Sequence, residues 1–199
     1  QDASGMEAVF YALQNHPQNA MICEYALNVL LKLTSQRQGH GEYKLEMMCD
    51  DDDCIQVIVA AMNYHMYSQQ IQYNGCGVLA NMATNASNAE RIARIGGIPC
   101  IVRYMTAHAK CETAQLKCLR ILAHLLLHNK QNTSVARQAL EQVQGAQVVV
   151  DAITTFEHSD SKVLQLGGFV LDLLMADEED DDDDEDARST CSSILSDID

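Results

Sequence analysis

The feature that most restricts what this chain can fold into is that it repeats itself with helical spacing. Shifted by 43 residues, Ile55-Gln56-Val57-Ile58-Val59-Ala60-Ala61-Met62 lies on Ile98-Pro99-Cys100-Ile101-Val102-Arg103-Tyr104-Met105. The same shift lays Gly75 to Met82 on Cys118 to Leu125 without a gap. A shift of 49 places Ala26 to Leu33 on that helix, and one of 48 brings Gly145-Ala146-Gln147 onto Gly97-Ile98-Pro99 and Leu166 to Leu173 onto the last helix. Four units result. A helical chain with a period of 40-odd residues is expected to stack as a solenoid, because each unit buries its apolar face only against its neighbours.

Apolar residues recur at steps of three and four, only Pro17 and Pro99 interrupt the chain, and no strand signal is present, so the body reads as all-α. Helices are expected over 6–13, 21–33, 55–66, 70–83, 89–95, 98–106, 113–128, 135–142, 146–156 and 161–175. Turn chemistry separates them at 38–41, 85–88, Gly96-Gly97, 129–133 and 158–160. Val78, Leu79, Met82, Ile121, Leu122 and Leu125 are the expected core.

With 47% hydrophobic residues, 199 positions allow a sizeable core. The net charge is −15, but residues 177–199 hold 12 acids and one base, which leaves the body of 1–176 at about −4. No face then carries the Lys/Arg excess that phosphate neutralisation needs, which argues against nucleic acid and for protein or peptide partners. No run of 18 uncharged apolar residues and no basic-then-apolar start is present, so neither a membrane span nor secretion is expected. The expected location is the cytoplasm, with the nucleus as an alternative. The chain opens on Gln1, which fits a processed or excised segment with sequence upstream. Cys23, Cys76, Cys100 and Cys118 fall inside apolar-periodic stretches and read as buried, reduced hydrophobes.

Gly97-Ile98-Pro99-Cys100-Ile101-Val102 and Gly75-Cys76-Gly77-Val78-Leu79-Ala80-Asn81-Met82-Ala83 resemble the armadillo-repeat family, whose units carry a glycine, an Ile-Pro-x-Leu-Val-like helix and a helix reading roughly Ala-x-x-Ala-Leu-x-Asn-Leu. The resemblance covers residues 6–175. It implies a right-handed superhelix of about four three-helix units, whose third helices line a concave groove for extended peptides or partner proteins. It also implies that the Asn position clamps the main chain of a bound peptide, and only Asn81 keeps that Asn.

Residues three, four and seven apart share a helix face. On each third helix such a row is polar or glycine: Tyr25, Asn28 and Lys32; Asn74, Gly77 and Asn81; Lys117, Arg120 and His124; Gln165, Gly168 and Asp172. These rows are the expected partner-binding surface. Gly77 and Gly168 either leave its floor bare for a partner or serve tight packing. The chain has no Trp, which disfavours the aromatic pockets of nuclear-import armadillo proteins.

Catalytic and metal constellations are not expected. His124 and His128 share a helix face near Cys111 and Cys118, but lack the Glu of a zinc-protease motif and any Cys-x-x-Cys pair. Asp50 to Asp53 lacks the glycine and terminal Glu of a calcium loop, and Asp53 instead reads as the N-cap of the following helix. No nucleophile elbow, phosphate loop or dinucleotide fingerprint is present. The chain therefore reads as a non-enzymatic adaptor or scaffold without cofactor or metal. The alternative is a regulatory or spacer segment of a larger signalling or cytoskeletal protein. Residues 177–199 are expected to be an acidic, disordered tail, either solubilising or docking back on the basic row Lys117, Arg120, His124.

Overall fold

A computed structural model describes residues 3–35, 52–127, 130–158 and 161–176. Among these the chain is all-α, with ten helices and no strand. They are α1 (Ala3–Asn15), α2 (Ala20–Thr34), α3 (Asp52–Tyr64), α4 (Gln69–Met82), α5 (Ala86–Arg94), α6 (Gly97–Ala107), α7 (Glu112–Leu127), α8 (Lys130–Gln142), α9 (Gly145–Phe156) and α10 (Lys162–Met175). The acidic segment 177–199, with the disorder expected of it, and the turn at 38–41 lie outside the described residues.

Helix starts follow local chemistry. Asn19, Ser68 and Ser161 accept backbone N–H groups of Ile22, Ile71 and Val163 at 3.2, 3.4 and 3.1 Å, which satisfies donors that a first turn leaves orphaned. Asn85 accepts from Ser87 and Asn88, so the expected turn at 85–88 is instead the cap and first turn of α5. Gly96, at φ +88°, makes the left-handed step into α6 that side chains resist. Two other starts also differ from expectation. Helix α8 begins at Lys130, inside the turn expected at 129–133, and α3 begins at Asp52, so Asp53 lies within its first turn and is not the cap. A carboxylate such as that of Asp53 in a first turn is favoured by the positive end of the helix dipole.

Packing is layered. Helices α1–α2, α3–α4, α5–α7 and α8–α10 form four layers, and like helices touch like: α2 packs on α4, α4 on α7 and α7 on α10, while α1, α3, α6 and α9 form a second row and α5 contacts α8. The 43-residue shift is visible as a repeated hydrogen-bond device. Buried Gln72 donates through Nε2 to the Met62 and His65 carbonyls at 2.6 and 3.1 Å, and Gln115 donates to those of Met105 and His108 at 2.9 and 3.0 Å. Each glutamine thus satisfies carbonyls at the C-terminal end of the second-row helix of its own layer. The first layer places the weaker donor Cys23 Sγ there, 3.4 and 3.6 Å from the Pro17 and His16 carbonyls, and the last places Val163.

All six expected core residues are buried. So are Cys23, Cys76, Cys100 and Cys118, none of them in a disulfide. No described helix is long and apolar enough to cross a membrane.

Candidate functional site

The first-row helices α2, α4, α7 and α10 run side by side, so one outer face of each contributes to a shared surface. The expected row residues divide there into those that reach solvent and those consumed by packing. Tyr25, Lys32, Gln165 and Asp172 are exposed, and Asn28, Asn81, Lys117, Arg120, His124 and Gly168 are half-buried.

Two row positions depart from the exposed reading. Asn74 is 2% exposed: its Oδ1 accepts from Gln70 Nε2 at 3.0 Å and its Nδ2 donates to the Glu24 carbonyl of α2 at 3.4 Å. It ties neighbouring layers together and does not face a partner. At Gly77 the choice between bare floor and packing falls to packing. A Cβ there would stand 2.6 Å from Leu31 Cδ1 and 3.3 Å from Lys117 Nζ, so the missing side chain is what lets both groups cross α4. At Gly168 nothing lies within 4 Å of such a Cβ, and the surface is open.

Around Asn81 a polar ladder spans three layers. Arg120 on α7 donates to Asn81 Oδ1 at 3.1 Å, and Asn81 Nδ2 donates to Thr34 Oγ1 at 3.0 Å and Ser35 Oγ at 3.3 Å, at the C-terminal end of α2. Both hydroxyls donate onward to the Leu31 carbonyl. The amide expected to clamp a peptide main chain is therefore engaged on its donor side, with one lone pair of its oxygen already used. One turn back on α7, the Lys117 ammonium stands over the Tyr73 ring. Tyr73, Thr34 and Ser35 are members of this surface that the row reading missed. Each of the three projects toward the layer that follows it.

The thiols behind this surface are tuned by burial. It pushes Cys23 and Cys100 up and, together with neighbouring Cys76, holds Cys118 well above the usual thiol range. Burial likewise raises the Tyr104 phenol. Cys111, half-buried just before α7, goes the other way, because the Thr113 hydroxyl and then backbone N–H groups of Ala114 and Thr113 stabilise its thiolate. Among the described residues no three His, Cys, Asp or Glu side chains gather as a metal site would require.

No protein-family model matches the chain. It is similar to Protein aardvark of Dictyostelium discoideum, with 33% identity over 92 residues, 45% of this chain. The match spans 12% of the length of that relative.

Proposed function

We propose that the chain is a non-catalytic protein-interaction module of the armadillo-like α-solenoid kind, whose α2–α4–α7–α10 surface receives a segment of a partner protein. The observation that carries this reading is register. Lys32, Asn81, His124 and Asp172 occupy the same position in four successive layers, and all four keep access to solvent while Leu30, Leu79, Leu122 and Val170, two residues earlier, are buried. A stacked set of helices that leaves one polar line open along its length suits an extended chain lying across it.

Lys117 and Arg120 give the middle of that line positive charge, so the fitting partner segment is rich in carboxylate or phosphate. The acidic stretch Asp177 to Asp186 has this chemistry within the same polypeptide and would compete for the surface. The test uses a labelled decapeptide of that sequence, titrated into the full chain and into a chain ending at residue 176. At low ionic strength the shortened chain should bind it more tightly, and Arg120→Glu and Lys117→Glu should each remove the binding. In about 0.15 M salt, where the Debye length is near 8 Å, the affinity should fall. Equal binding by the charge-reversed variants, or none by any chain, would count against the proposal.

A second reading, a spacer or regulatory segment of a larger protein, is favoured by the match to a relative of which the alignment spans only 12%. Intact partner capture by both charge-reversed variants would favour it over the first.

A further inference from the structure

Lys117 and Arg120 lie three residues apart on α7, in the third of the four layers, and both reach back over α4 of the layer before. Three layers build their placement. At Gly77 the absent side chain leaves room for the Lys117 ammonium, 3.3 Å from where a Cβ would stand, with Leu31 of α2 beside it. One turn further along α4, Asn81 Oδ1 receives the Arg120 guanidinium. That amide cannot exchange its two ends, because Nδ2 is committed to Thr34 and Ser35, whose own hydroxyl protons go to the Leu31 carbonyl.

The groups that position these two cations are neutral. The Tyr73 ring holds the ammonium without cancelling its charge, and no carboxylate among the described residues pairs with Lys117. The Asn81 amide orients the guanidinium in the same manner, where a carboxylate, as at the equivalent Asp172, would neutralise it. The arrangement is local to one layer. The equivalents of Lys117 and Arg120 elsewhere are Tyr25 and Asn28, Asn74 and Gly77, and Gln165 and Gly168, none of which carries charge.

We infer that Lys117 and Arg120 together receive a single phosphorylated side chain of the partner segment, a phosphate monoester, in preference to carboxylates. The inference rests on the reading of this surface as a partner site and narrows it to one ligand chemistry. Gly77 and Asn81 mark where the two cations come to rest, and side-chain positions one turn apart on a helix face are about 5–6 Å from each other. A phosphate group brings three acceptor oxygens and a charge of about −1.5 to −2 at neutral pH. It can accept from the ammonium on one oxygen and from the guanidinium on another, at about 2.8 Å each, and so answers both charges at once. A carboxylate brings one charge to the two cations. The neutral donors of the ladder are already spent on Leu31, Thr34 and Ser35, so an unmodified hydroxyl finds little to bind.

The test follows backbone amide shifts of the isotopically labelled full chain in phosphate-free buffer at low ionic strength. Three Gly/Ser decapeptides are titrated, identical except for a central phosphoserine, glutamate or serine, with the Asp177 to Asp186 decapeptide and inorganic phosphate as references. The phosphoserine peptide should bind at least on the order of tenfold more tightly than the glutamate peptide, and its shifts should centre on Gly77, Asn81, Lys117 and Arg120. Lys117→Met keeps the stem over Tyr73 and removes the charge, and should erase that preference while the amide spectrum shows a folded chain. Lys110→Met, which removes the same charge from the exposed α6–α7 turn, should leave the preference intact. Equal binding of the phosphoserine and glutamate peptides, or a preference that survives Lys117→Met or falls as far with Lys110→Met, would overturn the inference. So would inorganic phosphate binding as tightly as the phosphopeptide. If the acidic decapeptide still binds in such a case, the broader reading of the surface stands without the phosphate, and if it does not, both fail.

Discussion

The Lys117 ammonium stands 3.6 Å from the centroid of the Tyr73 ring, linking α7 to the layer before it through a charge held on an aromatic face. Such a contact is worth roughly 0.5–1 kcal/mol where solvent still reaches it. Lys117→Met should thus lower unfolding free energy in urea by no more than about 1 kcal/mol, while weakening capture of an acidic peptide. A loss of several kcal/mol would show that the lysine is chiefly a packing residue.

Two glycines at equivalent positions should respond with opposite sign. In Gly77→Ala the new methyl meets Leu31, and crowding of that kind costs about 1–3 kcal/mol. Gly168→Ala has open space on its helix and should gain about 0.5–1 kcal/mol, because alanine loses less backbone entropy than glycine. Thermal unfolding of the two variants reads the difference directly, and shifts of the same sign would contradict the register.

Leu122 is fully buried in α7, the helix that touches both neighbours of its row. Truncation to alanine should cost on the order of 2–5 kcal/mol. Chemical denaturation measures it, and a change below about 1 kcal/mol would place Leu122 outside the core.

Thiol chemistry should sort by environment. Cys111 should react with iodoacetamide first among the cysteines of the described residues, since its lowered pKa keeps more thiolate at neutral pH, and Cys118 should resist until unfolding. The raised groups also make stability depend on pH. An unfolded thiol ionises near its ordinary value of about 9, whereas Cys23, Cys100 and Cys118 in the folded chain stay neutral to higher pH. Their contribution is complete below about pH 9 and is lost as pH rises toward the folded values. Urea midpoints between pH 7 and 11 should therefore fall on the alkaline side, with a smaller fall in Cys118→Ala.

The layered core was legible in the sequence because burial here follows from one-dimensional periodicity. Apolar steps of three and four define each buried stripe, and the 43-residue shift carries the stripe from one layer to the next. Polar residues were read less well. A side chain such as Asn74 satisfies the same spacing whether it faces solvent or a neighbouring helix, and only the approach of α2 decides between them. Gln72 and Gln115 carry a visible signal, since the same shift superposes them and also superposes His65 on His108, but periodicity of apolar residues alone does not place a polar pair in the core. The start of α8 was missed for a related reason. Lys130-Gln131-Asn132-Thr133-Ser134 offers no apolar step, and its composition favours turns.

The glutamine device of the middle layers, reduced to a thiol in the first layer and to Val163 in the last, gives the molecule an uneven resistance to local opening. Amide protons in the last turns of α3 and α6 are closed in by side-chain donors from α4 and α7, while the position that supplies them holds a weakly donating thiol opposite α1 and the apolar Val163 opposite α9. Hydrogen exchange should consequently run from the ends inward, with α4 and α7 as the slowest unit to open. Force or a protease arriving at either end would meet the most yielding layer first, and the central pair would persist longest as a folded remnant.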